Sequence, residues 1–263
     1  MRITFIGGGV MGEAMVKRLL AKKIAVSQDI VVSDVSPARC ELLSKKYGVS
    51  TLADNRRAVE NADLIILAVK PQNLPQVVRE IKGLSPKQLV LSIVAGATLS
   101  SLCQGLNHSF VIRAMPNMPA QIGEGMTVWA ATPETAQRQK DLAQTVLGAL
   151  GKEIYVTDEK YLGMATALSG SGPAYVFLFI ETLVDAGVHI GLPRDMAQKL
   201  VIQTMLGSIC TVEKTGKHPA DLRNMVTSPG GTTTEALLQL ERGGFRSLLL
   251  EAVAAAYKKA EHF

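Results

Sequence analysis

The chain begins with Ile3-Thr4-Phe5-Ile6-Gly7-Gly8-Gly9-Val10-Met11-Gly12, a β-type run that breaks at glycines and resumes as a helical pattern. No other feature restricts the fold as much. In a Gly-x-Gly-x-x-Gly turn between a strand and a helix, the first glycine (Gly7) permits the tight turn. The second (Gly9) lets backbone approach a diphosphate, and the third (Gly12) lets helix and strand pack closely. Unpaired N–H groups at the helix N-terminus and the helix dipole then favour the anion. The strand–turn–helix context separates a dinucleotide site over residues 6–12 (Ile6, Gly7, Gly8, Gly9, Val10, Met11, Gly12) from an ordinary glycine turn.

The next residues repeat the alternation. Runs 3–6, 30–33, 64–69, 89–94 and 110–114 are rich in Val, Ile and Leu, and most are continuous rather than alternating, as strands covered on both faces read. Helical patterns at 10–22, 37–47, 56–61, 74–82 and 99–105 separate them; 127–130 adds a strand and 133–150 a closing helix. Repeated strand–helix–strand units predict an α/β fold, a Rossmann-type doubly wound parallel sheet with right-handed crossovers. After Glu159 strand signals stop. Segments 161–168, 173–188, 194–213, 220–226, 233–241 and 245–261 are helical, divided by Gly191-Leu192-Pro193 and Gly243-Gly244. The expected domains are a nucleotide-binding domain over 1–158 and an all-α domain over 159–263.

Composition excludes several classes of function. The net charge of +5 comes from scattered basic residues, in pairs such as Lys22-Lys23 and Arg56-Arg57, and aromatics are only 5%. A nucleic-acid reader needs a clustered basic stripe with rings to stack on, so no nucleic acid is expected. Cys40, Cys103 and Cys210 are far apart and lie in no Cys/His pattern, which predicts a reduced, cytoplasmic setting and no metal. The most apolar window, 173–180, is short and runs into Glu181 and Asp185, so no membrane span is expected. Arg2 with its apolar run has the outline of a signal peptide, but the three glycines and Glu13 interrupt it. His108, His189, His218 and His262 sit in unrelated contexts, and no Ser/His/Asp order, HExxH or P-loop is present. Chemistry at such a site leans on a cofactor.

Candidate residues cluster where strands end. Asp34 closes the second strand, where an acid would take the ribose hydroxyls of NAD, whereas Ser33, Ser36 and Arg39 in the same turn suit the 2′-phosphate of NADP. Pattern alone leaves both open. Ala68-Val69-Lys70-Pro71, Ile93-Val94-Ala95-Gly96 and the 113–119 loop with Asn117 follow three further strands on the same sheet edge, where ligands of open α/β sheets bind. In the helical half, Ser228-Pro229-Gly230-Gly231-Thr232-Thr233 opens a helix, with Thr232 and Glu235 spaced as a capping box. Its N–H and hydroxyl donors converge on one place, which suits a carboxylate. The stretch Ser169-Gly170-Ser171-Gly172-Pro173 breaks the helical region in a similar way.

Taken together, FIGGGVMG, AVKPQ at 68–72, SIVAGAT at 92–98, RAMPNMP at 113–119, ALSGSGPAYVF at 167–177 and MVTSPGGTTTEAL at 225–237 resemble the pyrroline-5-carboxylate reductase family from end to end. The resemblance implies reduction of the cyclic imine 1-pyrroline-5-carboxylate to L-proline by NADPH, with NADH as the alternative donor. It implies that the glycine loop holds the diphosphate, that Asn55 contacts the adenosine end, and that Ala68, Val69, Lys70, Pro71, Ile93, Val94 and Ala95 add cofactor contacts. Gly230, Gly231, Thr232 and Thr233 match the substrate cradle, with the Thr233 hydroxyl beside the ring nitrogen. It further implies that the helical domain pairs with a second subunit, dimers assembling into a ring, a decamer of dimers. Met118 stands where the family usually has Thr, and Asp34 in a turn that often lacks an acid.

No dedicated base is needed if the imine binds as an iminium that brings its own proton; the protein then aligns the reactants and holds the carboxylate. Two rivals share the glycine loop. A β-hydroxyacid dehydrogenase would carry a Lys early in the helix after a Gly-rich break, and Pro173-Ala174-Tyr175-Val176-Phe177 has none. A non-catalytic nucleotide-binding regulator would have no use for a substrate cradle.

Overall fold

The computed structural model describes residues 1–261; His262 and Phe263 lie outside the described residues. The chain alternates as the sequence pattern requires. In order come β1 (Ile3–Ile6), α1 (Val10–Ala21), β2 (Ile30–Ser33), α2 (Pro37–Tyr47), β3 (Ser50–Leu52), α3 (Asn55–Val59), β4 (Leu64–Leu67), α4 (Leu74–Glu80), β5 (Leu89–Ser92), α5 (Leu99–Leu106), β6 (Val111–Pro116), β7 (Gly125–Ala131), α6 (Gln137–Gly148) and β8 (Gly151–Tyr155). They form one eight-stranded sheet in the order β3-β2-β1-β4-β5-β6-β7-β8. All pairings are parallel except β6–β7.

Every residue of β1, β4 and β5 is buried, because helices cover both faces. Alternate residues serve opposite cores. Leu64 and Ile66 face the cluster holding Met15, Leu19, Leu43 and Leu147, whereas Ile65 and Leu67 face Val77, Ile81, Leu102 and Leu106. Each fully buried Leu or Ile contributes roughly 1.5–3 kcal/mol. Strand order reverses on either side of β1, so the carboxyl ends of β1 and β4 flank a switch-point crevice, the usual ligand position in such sheets.

Three features differ from the sequence expectation. Ser50–Leu52 and Gly151–Tyr155 are strands without an apolar run, since both are sheet edges whose residues are all half-exposed or exposed. The strand expected at 127–130 is longer, Gly125–Ala131, and antiparallel to its neighbour. The closing helix begins at Gln137 rather than 133, because the Thr135 N–H bonds the Thr132 carbonyl and holds those residues in a turn.

Beyond the sheet lie α7 (Lys160–Ala165), a π turn (Thr166–Gly170), α8 (Gly172–His189), α9 (Arg194–Thr215), α10 (Pro219–Met225), α11 (Thr232–Arg242) and α12 (Phe245–Ala260). The chain forms two compact units, one of Met1–Ser171 with the end of α12 from Ala256, the other Gly172–Ala255. The change of secondary structure falls near 158, but the compact unit runs on to Ser171: Leu162 packs with Val128 and Ala130 of β7, and α7 stays with the sheet. The expected break before Pro173 is the π turn, closed by Ser171 N–H on Thr166 O at 2.8 Å, with Pro173 in the first turn of α8.

Candidate active site

At the switch point the glycine loop is shaped from two sides. Gly7 has φ +102°, and a Cβ there would lie 2.6 Å from the Ala68 carbonyl; a Cβ on Gly12 would collide with the Gly7 carbonyl. Gly8 is small for another reason: its Cβ would strike Leu43 of α2 at 2.6 Å. Gly9 alone of the four faces open space, with nothing within 4 Å of an added Cβ. It is also the N-cap of α1 and offers no side chain to the first-turn N–H groups. A diphosphate fits this cradle on both counts, steric and electrostatic.

A cavity of about 390 Å³ opens beside the loop, lined by Ile6, Gly7, Gly9, Ser33, Asp34, Asn55, Ala68, Val69 and Lys70 among others. Nine residues read from the sequence therefore meet in one place. Pro71 and Ala95 instead line an adjoining cavity of about 490 Å³ between α4 and α5. Val10 is 69% exposed, Met11 packs against the core, Val94 is 3% exposed, and Ile93 is half-buried with its N–H on Leu67 O. Asn117 is engaged elsewhere: its Oδ1 accepts from Met126 N (2.9 Å) and its Nδ2 donates to Ser169 Oγ of the π turn (3.2 Å).

The acid at the end of β2 is turned into the loop. Asp34 Oδ2 accepts from Gly8 N (2.7 Å) and Oδ1 from Ser36 N (2.9 Å), so both oxygens are held by backbone donors. Ser36 caps α2, its hydroxyl accepting from Arg39 N at 3.4 Å. The Arg39 guanidinium lies back across the glycine loop, donating to the carbonyls of Gly8 and Gly9 and to Glu13. Glu13 also accepts from Lys46 Nζ (2.9 Å) and Tyr47 OH (2.8 Å). Burial pushes the Glu13 carboxyl upward, but hydrogen bonds from Lys46, Tyr47 and Arg39 outweigh it and bring its pKa down to about 2.

Two residues that sequence reading missed stand out. Glu80, at the end of α4, lines the cavity and accepts from Asn55 Nδ2 (2.6 Å), while Asn55 Oδ1 accepts from Ser33 Oγ (2.7 Å). No local pattern marks Glu80, because only the packing of α4 beside α3 brings it to Asn55. Glu13 had a signal, an acid in the first turn of the helix, but one that ordinary dipole compensation accounts for.

In the second unit, α11 starts at Thr232 with Gly231 as N-cap and no side-chain cap. The expected Thr232–Glu235 capping box is not formed. Thr232 is the first helical residue, and the Thr234 hydroxyl donates back to Ser228 O at 2.7 Å. The Thr234 N–H is taken by the Gly231 carbonyl (3.1 Å), so the first-turn N–H groups left for an anion are those of Thr232 and Thr233. Gly230, at φ +67°, and Thr232 are exposed, and Gly231 and Thr233 half-exposed.

Fold and loop together define a Rossmann-type dinucleotide-binding protein with an appended helical region. The comparisons are more specific. Residues 159–263 match the family described as pyrroline-5-carboxylate reductase dimerisation, and residues 2–96 match NADP oxidoreductase coenzyme F420-dependent. The chain is 43% identical over 260 residues to pyrroline-5-carboxylate reductase of Synechocystis, covering 99% of this chain and 97% of that one. Among solved structures, it is similar to the Coxiella burnetii pyrroline-5-carboxylate reductase (TM-score 0.90, 37% identity, covering 99% and 97% of the two chains). It is also similar to the NADP-bound Plasmodium falciparum pyrroline carboxylate reductase (0.91, 31%, covering 100% and 97%). This chain belongs to the pyrroline-5-carboxylate reductase family.

The stretch Lys160–His189 is, by length and composition, apolar enough to cross a membrane, contrary to the expectation from the 173–180 window. It also lies within the residues matched by the dimerisation family, and a subunit interface calls for the same apolar surface.

Proposed function

We infer that the chain reduces 1-pyrroline-5-carboxylate to L-proline with NADPH, the final step of proline biosynthesis. When bound, the nicotinamide supplies the hydride. The observation that carries the inference is that one chain holds an open, uncapped glycine cradle at Gly9 and an uncapped helix mouth at Gly231, Thr232 and Thr233, exposed at Thr232 and half-exposed at the other two. The first receives a diphosphate and the second a carboxylate.

Its residues divide the work. Gly7, Gly9 and Gly12 shape the diphosphate cradle; Ser33, Asn55 and Glu80 line the adenosine end; Ala68, Val69 and Lys70 form the cavity wall under β4. NADPH is favoured over NADH because Asp34 spends both oxygens on Gly8 N and Ser36 N, while Arg39 lies beside the same turn. In the helical domain, 159–263, N–H groups at Thr232 and Thr233 hold the substrate carboxylate. The Thr233 hydroxyl hydrogen-bonds the ring nitrogen, orienting the imine without acting as an acid, since a hydroxyl pKa is far from neutrality. A substrate that enters protonated needs no dedicated base. The protein works in the cytoplasm, with its three cysteines as thiols, and as a dimer whose copies build a larger ring.

Following the loss of NADPH or NADH absorbance with 1-pyrroline-5-carboxylate, and its appearance from NADP+ or NAD+ with 3-hydroxy acids, tests this. Oxidation of NADPH that depends on the imine is expected; no turnover of the imine, with a 3-hydroxy acid reducing NADP+ or NAD+ instead, would overturn it. Thr233→Val should raise KM and lower kcat while Thr233→Ser stays mild, and unchanged kinetics in the valine variant would remove Thr233 from the reaction.

A further inference from the structure

Arg39 is occupied before any nucleotide arrives. Its guanidinium spans the carbonyls of Gly8 and Gly9 and pairs with Glu13, whose other oxygen is held by Lys46 and Tyr47. Both partners are well shielded, with side-chain exposures of 23% and 19%. An Arg with this fork of donors is the group suited to a phosphate dianion, and here the Glu13 carboxylate takes Nη2, one of the two prongs a phosphate would use. We propose that Glu13 is a positioning residue that competes with the cofactor's 2′-phosphate for Arg39, and so limits how strongly the site prefers NADPH to NADH.

The proposal rests on the reading of Arg39 as the 2′-phosphate partner and deepens it. To engage both prongs, NADPH must draw Arg39 Nη2 off Glu13, whereas NADH, with only a 2′-hydroxyl, leaves the pair intact. Glu13 tolerates the loss because Lys46 and Tyr47 remain, which makes the exchange reversible and keeps the released carboxylate paired. Glu13 is charged throughout the working pH range, so the competition does not fade near neutrality. Its place in the first turn of α1 gives Glu13 a second role, since an acid there also offsets the helix dipole.

Equilibrium dissociation constants for NADPH, NADH, 2′,5′-ADP and 5′-ADP, measured by calorimetry on the full-length protein, separate the possibilities. In Glu13→Gln, NADPH and 2′,5′-ADP should tighten by roughly tenfold relative to NADH and 5′-ADP, the scale of one charge-assisted contact. Glu13→Asp, one methylene shorter, should shift the ratio the same way by less, and serves if the glutamine variant folds poorly. Arg39→Ala should abolish the discrimination, and in the Arg39→Ala background Glu13→Gln should change nothing. A ratio that stays at the wild-type value, or NADPH binding that weakens, would show that Glu13 merely steadies Arg39 and would overturn the proposal. The functional reading fails differently: wild-type protein would bind none of the four nucleotides, or would oxidise NADPH without regard to the imine.

Discussion

The two halves of the chain bury their apolar residues very differently. In the sheet unit, β1, β4 and β5 are wholly buried, and two layers of helices close over them. In the helical unit, the 18 residues of α8 include one buried residue, Val184, and the 22 of α9 only Ala197. α11 has none. Meanwhile Phe177, Leu178, Leu200, Leu206, Ile209, Leu248 and Leu250 are between 49% and 73% exposed. Monomeric proteins rarely expose contiguous apolar surface of that kind. The sheet half is finished within one chain; the helical half is half of something, as its match to a dimerisation family requires.

The sharpest way to break that contrast uses two side chains of equal exposure. Ile209 in α9 and Val26 before β2 are each 57% exposed. Ile209→Glu should weaken the dimer by about 100-fold or more, since a charge without a partner is buried in the interface and a two-fold axis repeats it. Val26→Glu should leave assembly and melting unchanged. Sedimentation velocity reads the difference. A dimer that survives Ile209→Glu would mean that α9 faces water, and the contrast between the halves would lose its meaning.

Inside the sheet unit, two glycines of one loop test whether the cradle is built for packing or for a ligand. Gly12→Ala forces a Cβ onto the Gly7 carbonyl and should cost about 1–3 kcal/mol of stability as well as nucleotide binding. Gly9→Ala meets no protein atom and, at φ −63°, strains nothing, so its melting temperature should be that of the wild type. Its NADPH affinity should nevertheless fall, by roughly tenfold or more, as the methyl takes space meant for the diphosphate. Equal losses of stability in both variants would mean that the loop is only a tight turn.

What could be read in advance follows the same division. The central strands were legible because continuous Val, Ile and Leu runs have few uses other than a strand covered on both faces. The edges β3 and β8 were not, since Ser50-Thr51-Leu52 and Gly151-Lys152-Glu153 are too polar to signal burial. At the site, the residues of the glycine loop and the strand ends were found because glycine spacing and strand termini are local facts. The turning of Asp34 into Gly8 N, the Arg39–Glu13 pair and the Asn55–Glu80 bond are products of tertiary packing between helices far apart in sequence. The spacing of Thr232 and Glu235 matched a capping box, yet Gly231 took the cap position, because the helix starts one residue before the expected 233.

The smallest effect concerns where the sheet unit ends. The change from strands to helices near 158 coincides with Glu159, but the Glu159 carboxylate works for the sheet: one oxygen accepts from Leu99 N (2.8 Å) at the start of α5 and from Arg113 Nη1 (2.6 Å) on β6. Arg113 is shielded, its side chain only 13% exposed, so it depends on that charge. Glu159→Gln keeps an acceptor for Leu99 N but leaves the guanidinium without a counter-ion. The expected cost is about 2 kcal/mol, roughly 4–8 °C in melting temperature for a unit of this size. The dimer should keep its mass in sedimentation, because the substitution touches the sheet and not the apolar helices. Loss of the dimer with an unchanged melting temperature would instead assign Glu159, and the helix it begins, to the helical half.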